Sequence, residues 1–221
     1  MLINKYKPKS LKEIFGQDLQ IKQIKEFLNK KPILIYGNTG IGKTASVYVL
    51  ANELNYEILE VNASNLRNKE QIDLIIKNNL MQKSLFGKDK LVLIDEVDGI
   101  NTSDGGGLQE LLKLMQITKV PIILIANNPW GSKFKTLRSK CKLIEFKKLD
   151  NELIFNILNE INKKEKLNVN KGLLKEISEN SKGDLRGAIL DLELAKINNN
   201  KIDLRERKEV IFNVLKNIFK N

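Results

Sequence analysis

The residues with the clearest chemical potential lie at 33–44, which read ILIYGNTGIGKT. The second part matches the P-loop pattern GxxxxGK[ST], between an apolar run typical of a strand and a helical segment at 45–54. Glycines let consecutive backbone N–H groups of such a loop point inward around phosphate oxygens, aided by the positive end of the following helix. The Lys43 ammonium can reach the β- and γ-phosphates, and the Thr44 hydroxyl can ligate Mg²⁺.

We therefore predict that this chain binds a nucleoside triphosphate. A plain glycine-rich turn is the alternative, but all four fixed positions of the pattern occur in the expected context. The residues predicted to bind the nucleotide are Gly37, Asn38, Thr39, Gly40, Ile41, Gly42, Lys43, Thr44 and Ala45.

Two acidic residues form a second candidate site. Asp95 and Glu96 follow the apolar run 91–94, as expected where a strand buried on both faces ends. Asp95 would hold Mg²⁺ directly or through water, and Glu96 would polarise an attacking water as a general base. Adjacent acids also begin ordinary loops. After a P-loop, at the edge of the sheet where ligands collect, they favour an ATPase that couples hydrolysis to conformational work.

Asn127 and Arg186 are further candidates with plainer alternatives. Asn127 ends the predicted strand 120–126, so its amide can contact the γ-phosphate or the attacking water, although asparagine before Asn128 and Pro129 is also a common turn residue. Arg186 lies at a predicted helix start and can turn onto the γ-phosphate. From the sequence alone, a surface arginine is the better interpretation of that residue.

The composition is that of a globular protein with excess positive charge. The 221 residues are 42% apolar and 29% charged, with a net charge of +11. This balance suggests either an anionic partner, nucleic acid first, or a lysine-rich surface that reflects overall composition. A single Cys and no His exclude an internal disulfide and a zinc-type cluster. Neither a membrane span nor a signal-peptide core is visible, so we expect a cytoplasmic, nucleoid-associated protein without a membrane partner.

The order of elements indicates an α/β fold followed by helices. Strand-like runs that alternate with helical periodicity are typical of a parallel sheet covered on both faces. The predicted strands are 33–36, 56–61, 90–94, 120–126 and 143–146, and the predicted helices among them are 18–29, 45–54, 69–79 and 108–117. After Phe146 no strand follows, and helices are predicted at 150–165, 170–180, 184–197 and 204–219.

Two local expectations concern the N-terminal part. Residues 1–17 are polar and contain Pro8 and Gly16, so we expect an extended arm without regular structure. In the helix predicted from Asp18 onward, we expect one apolar face. Its members are Leu19, Ile21, Ile24 and Leu28.

Taken together, these motifs resemble the AAA+ ATPases, in which a P-loop core precedes a helical lid. Within them the chain is similar to clamp loaders, in the arm Lys5-Tyr6-Lys7-Pro8 with Gly16-Gln17 and in residues 62–68. The more specific resemblance is to archaeal replication factor C large subunits, and it spans essentially the whole chain. It is carried by DEVDGI at 95–100, the glycines at 105–107, and the segments 121–130, 137–141 and 205–219.

The resemblance implies a P-loop AAA+ core with a five-stranded parallel sheet at 1–147, a helical lid at 148–203 and the start of a collar-like helix at 204–221. It implies ATP and Mg²⁺ as ligands, with Tyr6 and Pro8 near the adenine and Thr44 and Asp95 on the metal. The implied catalytic residues are Lys43, Glu96, Asn127 and Arg186. Replication factor C small subunits, a sliding clamp and primer–template DNA are the implied partners in a hetero-oligomer.

Two departures from the clamp-loader pattern matter. Small subunits carry Ser-Arg-Cys, whose arginine acts on a neighbour's ATP, whereas this chain has Ser139-Lys140-Cys141. Lysine lacks the planar fork of arginine, so we assign neither Lys140 nor Arg138 a catalytic role, which suits a large subunit that receives an arginine. Such subunits also continue into a helical collar beyond the position of Asn221. The resemblance therefore does not extend to collar-mediated assembly by this sequence alone.

Three functional interpretations follow. The leading one is the ATPase core of a clamp-loader large subunit, slow in isolation. The second is an ATP-binding interaction module that hardly hydrolyses. The third is another AAA+ machine, such as a helicase loader or a Holliday-junction motor.

Overall fold

The structure is a computed structural model that describes residues 1–63, 88–100 and 107–197. The predicted helices 69–79 and 204–219, and with the latter the predicted segment 204–221, lie outside these residues. The chain divides into a sheet unit, Lys7–Leu149, and a helical unit formed by Met1–Tyr6 with the chain from Asp150 onward. Within the described residues, no helix has the length and apolar character needed to cross a bilayer.

A parallel sheet forms the centre of the sheet unit. Its strands are β1 (Ile33–Tyr36), β2 (Tyr56–Asn62), β3 (Asp89–Asp95), β4 (Ile122–Ala126) and β5 (Lys142–Glu145). In the described part of the chain their spatial order is β2-β3-β4-β1-β5, and every pair is parallel. The predicted five-stranded parallel sheet is therefore confirmed. Because parallel strands end at one edge, the ends of β1, β3 and β4 are neighbours.

Helices cover both faces of this sheet, which explains the apolar runs 33–36, 91–94 and 122–126 in its central strands. They are α2 (Asp18–Phe27), α3 (Lys43–Glu53), α4 (Gly107–Ile117) and α5 (Lys135–Lys140). On one face, α4 packs on alternate strand residues; the buried set includes Leu34, Ile94, Leu111 and Leu124. On the other face, α2 and α3 pack on the intervening residues; that set includes Ile24, Ile33, Val47, Leu50 and Ile123.

The apolar face predicted for α2 is wrong in one member. Ile21, Ile24 and Leu28 are buried, whereas Leu19 is 71% exposed. Successive helical residues are about 100° apart. Leu19 therefore lies roughly opposite the other three, and its hydrophobicity says nothing about the buried face.

The expected extended arm is also corrected. Residues 1–17 contain a short helix, α1 (Leu2–Lys5), and a 3₁₀ turn, Leu11–Glu13. The Glu193 carboxylate accepts the Leu2 N–H at 3.2 Å, within the helical unit. The structure thus assigns Met1–Tyr6 to the helical unit, whereas the sequence analysis placed them in the first domain.

In the described residues, the helical unit is built mainly on three helices, α6 (Asn151–Lys164), α7 (Lys171–Asn180) and α8 (Leu185–Ile197), of which α6 and α7 are amphipathic. Asn170 caps α7 by accepting the Leu173 N–H at 2.8 Å, and Asp184 accepts the Gly187 N–H at 2.7 Å at the start of α8. The buried apolar residues include Ile154, Leu158, Leu174, Ile177 and Leu192.

A buried glutamine fixes the chain where it leaves β5. The Gln17 side chain is fully buried, donates to the Lys147 carbonyl at 2.7 Å and accepts the Lys147 N–H at 3.1 Å. One residue earlier, the Phe146 N–H donates to the Tyr36 carbonyl at 2.8 Å. The segment that leads out of the sheet unit is therefore held against β1 and the start of α2.

We predict that Gln17→Ala lowers the free energy of unfolding by about 1–3 kcal/mol, because the Lys147 backbone loses two hydrogen bonds that no other side chain replaces. Urea titration of both proteins measures the difference. Gln23→Ala is the matched control, because Gln23 is exposed on the same helix. Equal stability of the Gln17 and Gln23 variants would contradict this role.

Candidate nucleotide site

The P-loop wraps around the ammonium group of Lys43. Lys43 begins α3 and is only 7% exposed. Its Nζ donates to the carbonyls of Gly37 and Asn38, both at 2.7 Å, and to Asn127 Oδ1 at 3.0 Å. A buried ammonium must be compensated, and these acceptors supply that compensation at the end of β1. The loop therefore places a cation where phosphate oxygens can replace neutral acceptors.

The first glycine of the loop is required by a close backbone approach. Gly37 has φ +145°, and a Cβ built on it would lie 2.4 Å from the Phe146 carbonyl oxygen. The segment after β5 therefore packs directly on the loop. A side chain at position 37 would collide with the Phe146 carbonyl. It would thereby displace the Gly37 carbonyl, which accepts a hydrogen bond from Lys43.

The N-terminus of α3 offers the loop's second binding feature. Its N-cap, Gly42, has a left-handed φ of +95° and provides no side-chain cap. Ser46 locks this turn by donating its hydroxyl to the Gly42 carbonyl at 2.7 Å. Uncapped N–H groups at a helix start attract anions. The residues present thus fit a phosphate chain.

Thr44 and Asp95 meet where Mg²⁺ was predicted. The Thr44 hydroxyl donates to Asp95 Oδ2 at 2.8 Å, and Asp95 Oδ1 accepts the Glu96 N–H at 2.8 Å. A hydroxyl oxygen and a carboxylate side by side suit a hard divalent cation, which takes its remaining ligands from water and phosphate. Among the described residues, no group of three or more His, Cys, Asp or Glu side chains converges as a metal cage. The donor set therefore fits a cation shared with a nucleotide.

Glu96 lies one residue beyond β3 in an uncommon conformation. Its φ is 57°, in the left-handed region, which is unfavourable by about 1–2 kcal/mol for a residue with a side chain. Its Oε2 accepts a hydrogen bond from Asn62 Nδ2 at 3.2 Å. The backbone thus directs the carboxylate toward the end of β2.

Asn62 was not predicted as a site residue. In the sequence it belongs to the segment 62–68, which contributes only to the resemblance to clamp loaders. The signal that identifies it is positional: Asn62 ends β2 and is in register with Asp95 on β3. The sequence feature that indicates such a residue is a polar side chain at the end of the strand next to the one that carries the acidic pair.

Asn127 lies at the end of β4 and contacts Lys43 through its side chain, as described above. Its backbone N–H donates to Asp98 Oδ2 at 3.2 Å. Asp98 was likewise not predicted as a site residue. The structure therefore brings together Lys43, Thr44, Asp95, Glu96 and Asn127, all of which were proposed from the sequence.

Comparison with known proteins decides the family. The model of the ATPase family associated with various cellular activities (AAA) matches residues 33–149, and the RCF1/5-like, AAA+ ATPase lid domain model matches residues 156–197. The chain belongs to the AAA family of ATPases. Membership of this ATPase family supports ATPase activity in general terms, and the predicted AAA+ fold with a helical lid is confirmed.

Relatives of this AAA chain include archaeal proteins named replication factor C large subunit. The chain is 41% identical to that of Staphylothermus marinus over 86% of this chain and 47% of the relative. It is 43% identical to that of Nanoarchaeum equitans over 87% of this chain and 46% of the relative. It is 36% identical to that of Thermofilum pendens over 97% of this chain and 56% of the relative. The predicted resemblance is confirmed, and the chain spans about half the length of the curated relatives it matches.

Arg138 and Lys140 are the basic residues at or next to the position where the clamp-loader pattern has a trans-acting arginine. The Arg138 guanidinium donates to the carbonyls of Pro129 and Gly131, the latter at 3.0 Å, and lies 5.3 Å from the centre of the Trp130 ring. Arg138 is therefore engaged within its own chain. Lys140, at the end of α5, has no guanidinium fork to offer a neighbour.

The remaining predicted site residues are distributed between the two units. Arg186 is exposed as the second residue of α8, in the helical unit. Tyr6 is in the same unit and donates its hydroxyl to Glu165 Oε1 at 2.7 Å, whereas Pro8 belongs to the sheet unit. Burial and the Glu165 carboxylate raise the pKa of the Tyr6 phenol to about 12. The roles of Arg186, Tyr6 and Pro8 stay predictions.

A second tyrosine lies beside the P-loop helix. The Tyr48 hydroxyl donates to Glu60 of β2, and the Lys7 ammonium lies 5.0 Å from the centre of its ring. Burial, this hydrogen bond and the charges of Glu60 and Asp95 raise the pKa of the Tyr48 phenol to about 12. Tyr48 therefore remains protonated at neutral pH and acts as a hydrogen-bond donor that joins α3 to β2.

We predict that Gly37→Ala weakens ATP binding at least tenfold and lowers the free energy of unfolding by about 1–3 kcal/mol, because the added Cβ collides with the Phe146 carbonyl and the required φ disfavours side chains. Calorimetric ATP titration and urea unfolding measure the two effects. Gly99→Ala is the control: a Cβ there meets no atom within 4 Å. An alanine at position 37 that changes neither quantity would refute the close approach.

Proposed function

We propose that this AAA-family chain binds ATP with Mg²⁺ and hydrolyses it as the ATPase core of a clamp-loader large subunit. The main supporting observation is the convergence of the P-loop with the ends of two strands. Lys43 Nζ lies 3.0 Å from Asn127 Oδ1, and Thr44 Oγ1 lies 2.8 Å from Asp95 Oδ2. These contacts link phosphate-binding, metal-binding and water-positioning candidates in one edge of the sheet.

Phosphate binding falls to the loop and the start of α3. The N–H groups after Gly42 and the Lys43 ammonium are the donors, and the Lys43 contacts with the loop carbonyls hold that ammonium in place. Mg²⁺, held by Thr44 and Asp95 together with phosphate oxygens, would neutralise the charge that develops on the phosphates.

Glu96 and Asn127 are the proposed water-handling residues. The Glu96 carboxylate polarises the attacking water, and the Asn127 amide fixes the position of the γ-phosphate end through Lys43. The Asn62 hydrogen bond to Glu96 competes with water for the same carboxylate oxygen. This competition is consistent with a slow rate until Glu96 is released.

Hydrolysis at a useful rate requires an arginine from a neighbouring subunit. Arg138 is engaged by Pro129 and Gly131, and Lys140 replaces the arginine that small subunits carry. A supplied arginine is typically worth about 10³–10⁵ in rate. We therefore propose that this chain receives the arginine from a replication factor C small subunit and hydrolyses ATP slowly when alone.

The proposed partners follow from the family and the charge. The relatives' name, replication factor C large subunit, and the net charge of +11 support a role on primer–template DNA with a sliding clamp. Arg186 of the helical lid is proposed to contact the γ-phosphate and to report nucleotide state. Because the proposed partners include DNA, we propose that the chain acts in the cytoplasm, at the nucleoid. It would do so as part of a hetero-oligomer.

We predict that Lys43→Ala abolishes ATP binding, whereas Glu96→Gln binds ATP like the wild type but loses hydrolysis, because only the first removes a phosphate contact. Titration calorimetry with ATP and Mg²⁺ gives binding, and phosphate release gives turnover. Lys22→Ala, on the exposed face of α2, is the charge-matched control.

Normal ATP affinity of Lys43→Ala would refute the nucleotide site. Unchanged turnover of Glu96→Gln in the assembled complex would instead favour the second candidate, an ATP-binding interaction module. The contact of Glu96 with Asn62 is the observation that keeps this candidate open.

A further inference from the structure

Asp98 is a carboxylate beside the site that the proposed mechanism does not use. It lies in the 3₁₀ turn Val97–Gly99, which directly follows Glu96. Its Oδ2 accepts the backbone N–H of Asn127 at 3.2 Å. The turn after β3 is thereby joined to the first residue after β4.

This bond acts at a point that the sheet itself leaves unsupported. The pairing of β3 with β4 ends at Ile94 and Leu124, and the pairing of β1 with β4 ends at Tyr36 and Ala126. Asn127 is therefore the first residue beyond both sets of strand pairs. Its backbone position depends on contacts outside the strand ladder.

The side chain of the same asparagine holds the P-loop lysine. Asn127 Oδ1 accepts from Lys43 Nζ at 3.0 Å. Asp98, the Asn127 backbone, the Asn127 side chain and Lys43 thus form a series of contacts from the turn after β3 to the P-loop. A displacement of the Asn127 backbone moves the amide oxygen relative to the ammonium.

The two carboxylate oxygens of Asp98 differ in their surroundings. Oδ2 accepts the Asn127 N–H, whereas no residue that the structure describes donates to the buried Oδ1. Among the described residues, the Asn127 N–H is therefore the hydrogen bond that fixes the Asp98 side chain.

We propose that Asp98 is a positioning residue of the ATPase, which fixes the Asn127 backbone so that the Asn127 amide is aligned with Lys43 and the γ-phosphate. The inference rests on the proposed function. It assigns Asp98 no contact with the nucleotide. Its effect should fall on the chemical step, because alignment of groups matters most in the transition state.

Asp98→Ala is expected to slow hydrolysis about ten- to a hundredfold, the loss typical of a displacement near 1 Å. ATP affinity should change less than about threefold, because the P-loop donors are retained. Asp98→Asn should recover most of the rate, since an amide oxygen can still accept the Asn127 N–H. If Asp98 acted instead through its charge on the metal or the phosphates, Asp98→Asn would not recover the rate of hydrolysis.

A double-mutant cycle tests whether Asp98 acts through Asn127. If it does, Asp98→Ala should have little further effect on the rate in an Asn127→Ala background. If Asp98 and Asn127 acted independently, the rate reductions of the two single variants would multiply in the double variant. Asp89→Ala is the matched control, since Asp89 is exposed at the start of β3, the end of the strand that is remote from the Asp98 turn.

The experiment is single-turnover hydrolysis of radiolabelled ATP with the protein in excess, together with calorimetric ATP binding and thermal unfolding of each variant. The expected result is a slow Asp98→Ala, a rescued Asp98→Asn, no additivity with Asn127→Ala and ATP affinity within about threefold. An unimpaired Asp98→Ala, an unrescued Asp98→Asn or a multiplicative double mutant would overturn the proposal. So would the loss of cooperative unfolding in Asp98→Ala, which would assign the residue to folding.

The wild type separates this inference from the proposed function. A wild-type chain that fails to bind ATP overturns the nucleotide site itself. A wild type that binds ATP but gives no single-turnover product, alone or with the replication factor C small subunits proposed to supply the arginine, overturns the ATPase, and the role of Asp98 in hydrolysis falls with it. A wild type that binds and hydrolyses leaves the Asp98 variants to decide the inference alone.

Discussion

The compensation of one buried charge is the constraint on which the site depends. The Lys43 ammonium is 7% exposed and is surrounded by two loop carbonyls and the Asn127 amide. To hold it, the loop turns the Gly37 and Asn38 carbonyls toward the ammonium, and β4 ends beside β1. The close approach of the Phe146 carbonyl requires glycine at position 37. The same arrangement brings the N–H groups at the start of α3, which we propose bind phosphate, to the sheet edge. The fold therefore satisfies a lysine with groups that a phosphate can replace.

Sheet topology supplies the long-range part of this arrangement. Lys43 and Asn127 are 84 positions apart in the chain, and Thr44 and Asp95 are 51 apart. They meet because β4 lies between β1 and β3 and all strands run parallel. Residues that directly follow different strands then share one edge without any local sequence relation. Side-chain chemistry at that edge is consequently collected from several separate segments.

The sequence predicted what depends on local pattern. The strands, the P-loop and the acidic pair were recognisable because each is encoded within a few residues. What depends on contacts between distant segments was not: Asn62 contacts Glu96 and Asp98 contacts Asn127, and neither Asn62 nor Asp98 has a motif of its own. Leu19 is apolar but exposed, because it lies on the side of α2 opposite the buried residues. Its hydrophobicity alone therefore did not indicate its position. The structure of Met1–Tyr6 was missed because its stability comes from carboxylates on α8 and after α6, more than 150 positions away.

The most direct test of the account is the steady-state ATPase rate of this chain, alone and with replication factor C small subunits, sliding clamp and primed DNA. We predict a very low rate alone and a large increase only with the full set, since the arginine proposed to complete this site comes from a neighbouring small subunit and is typically worth about 10³–10⁵ in rate. Size-exclusion chromatography of the same mixture verifies assembly. A rate that is unchanged in an assembled complex would contradict the account.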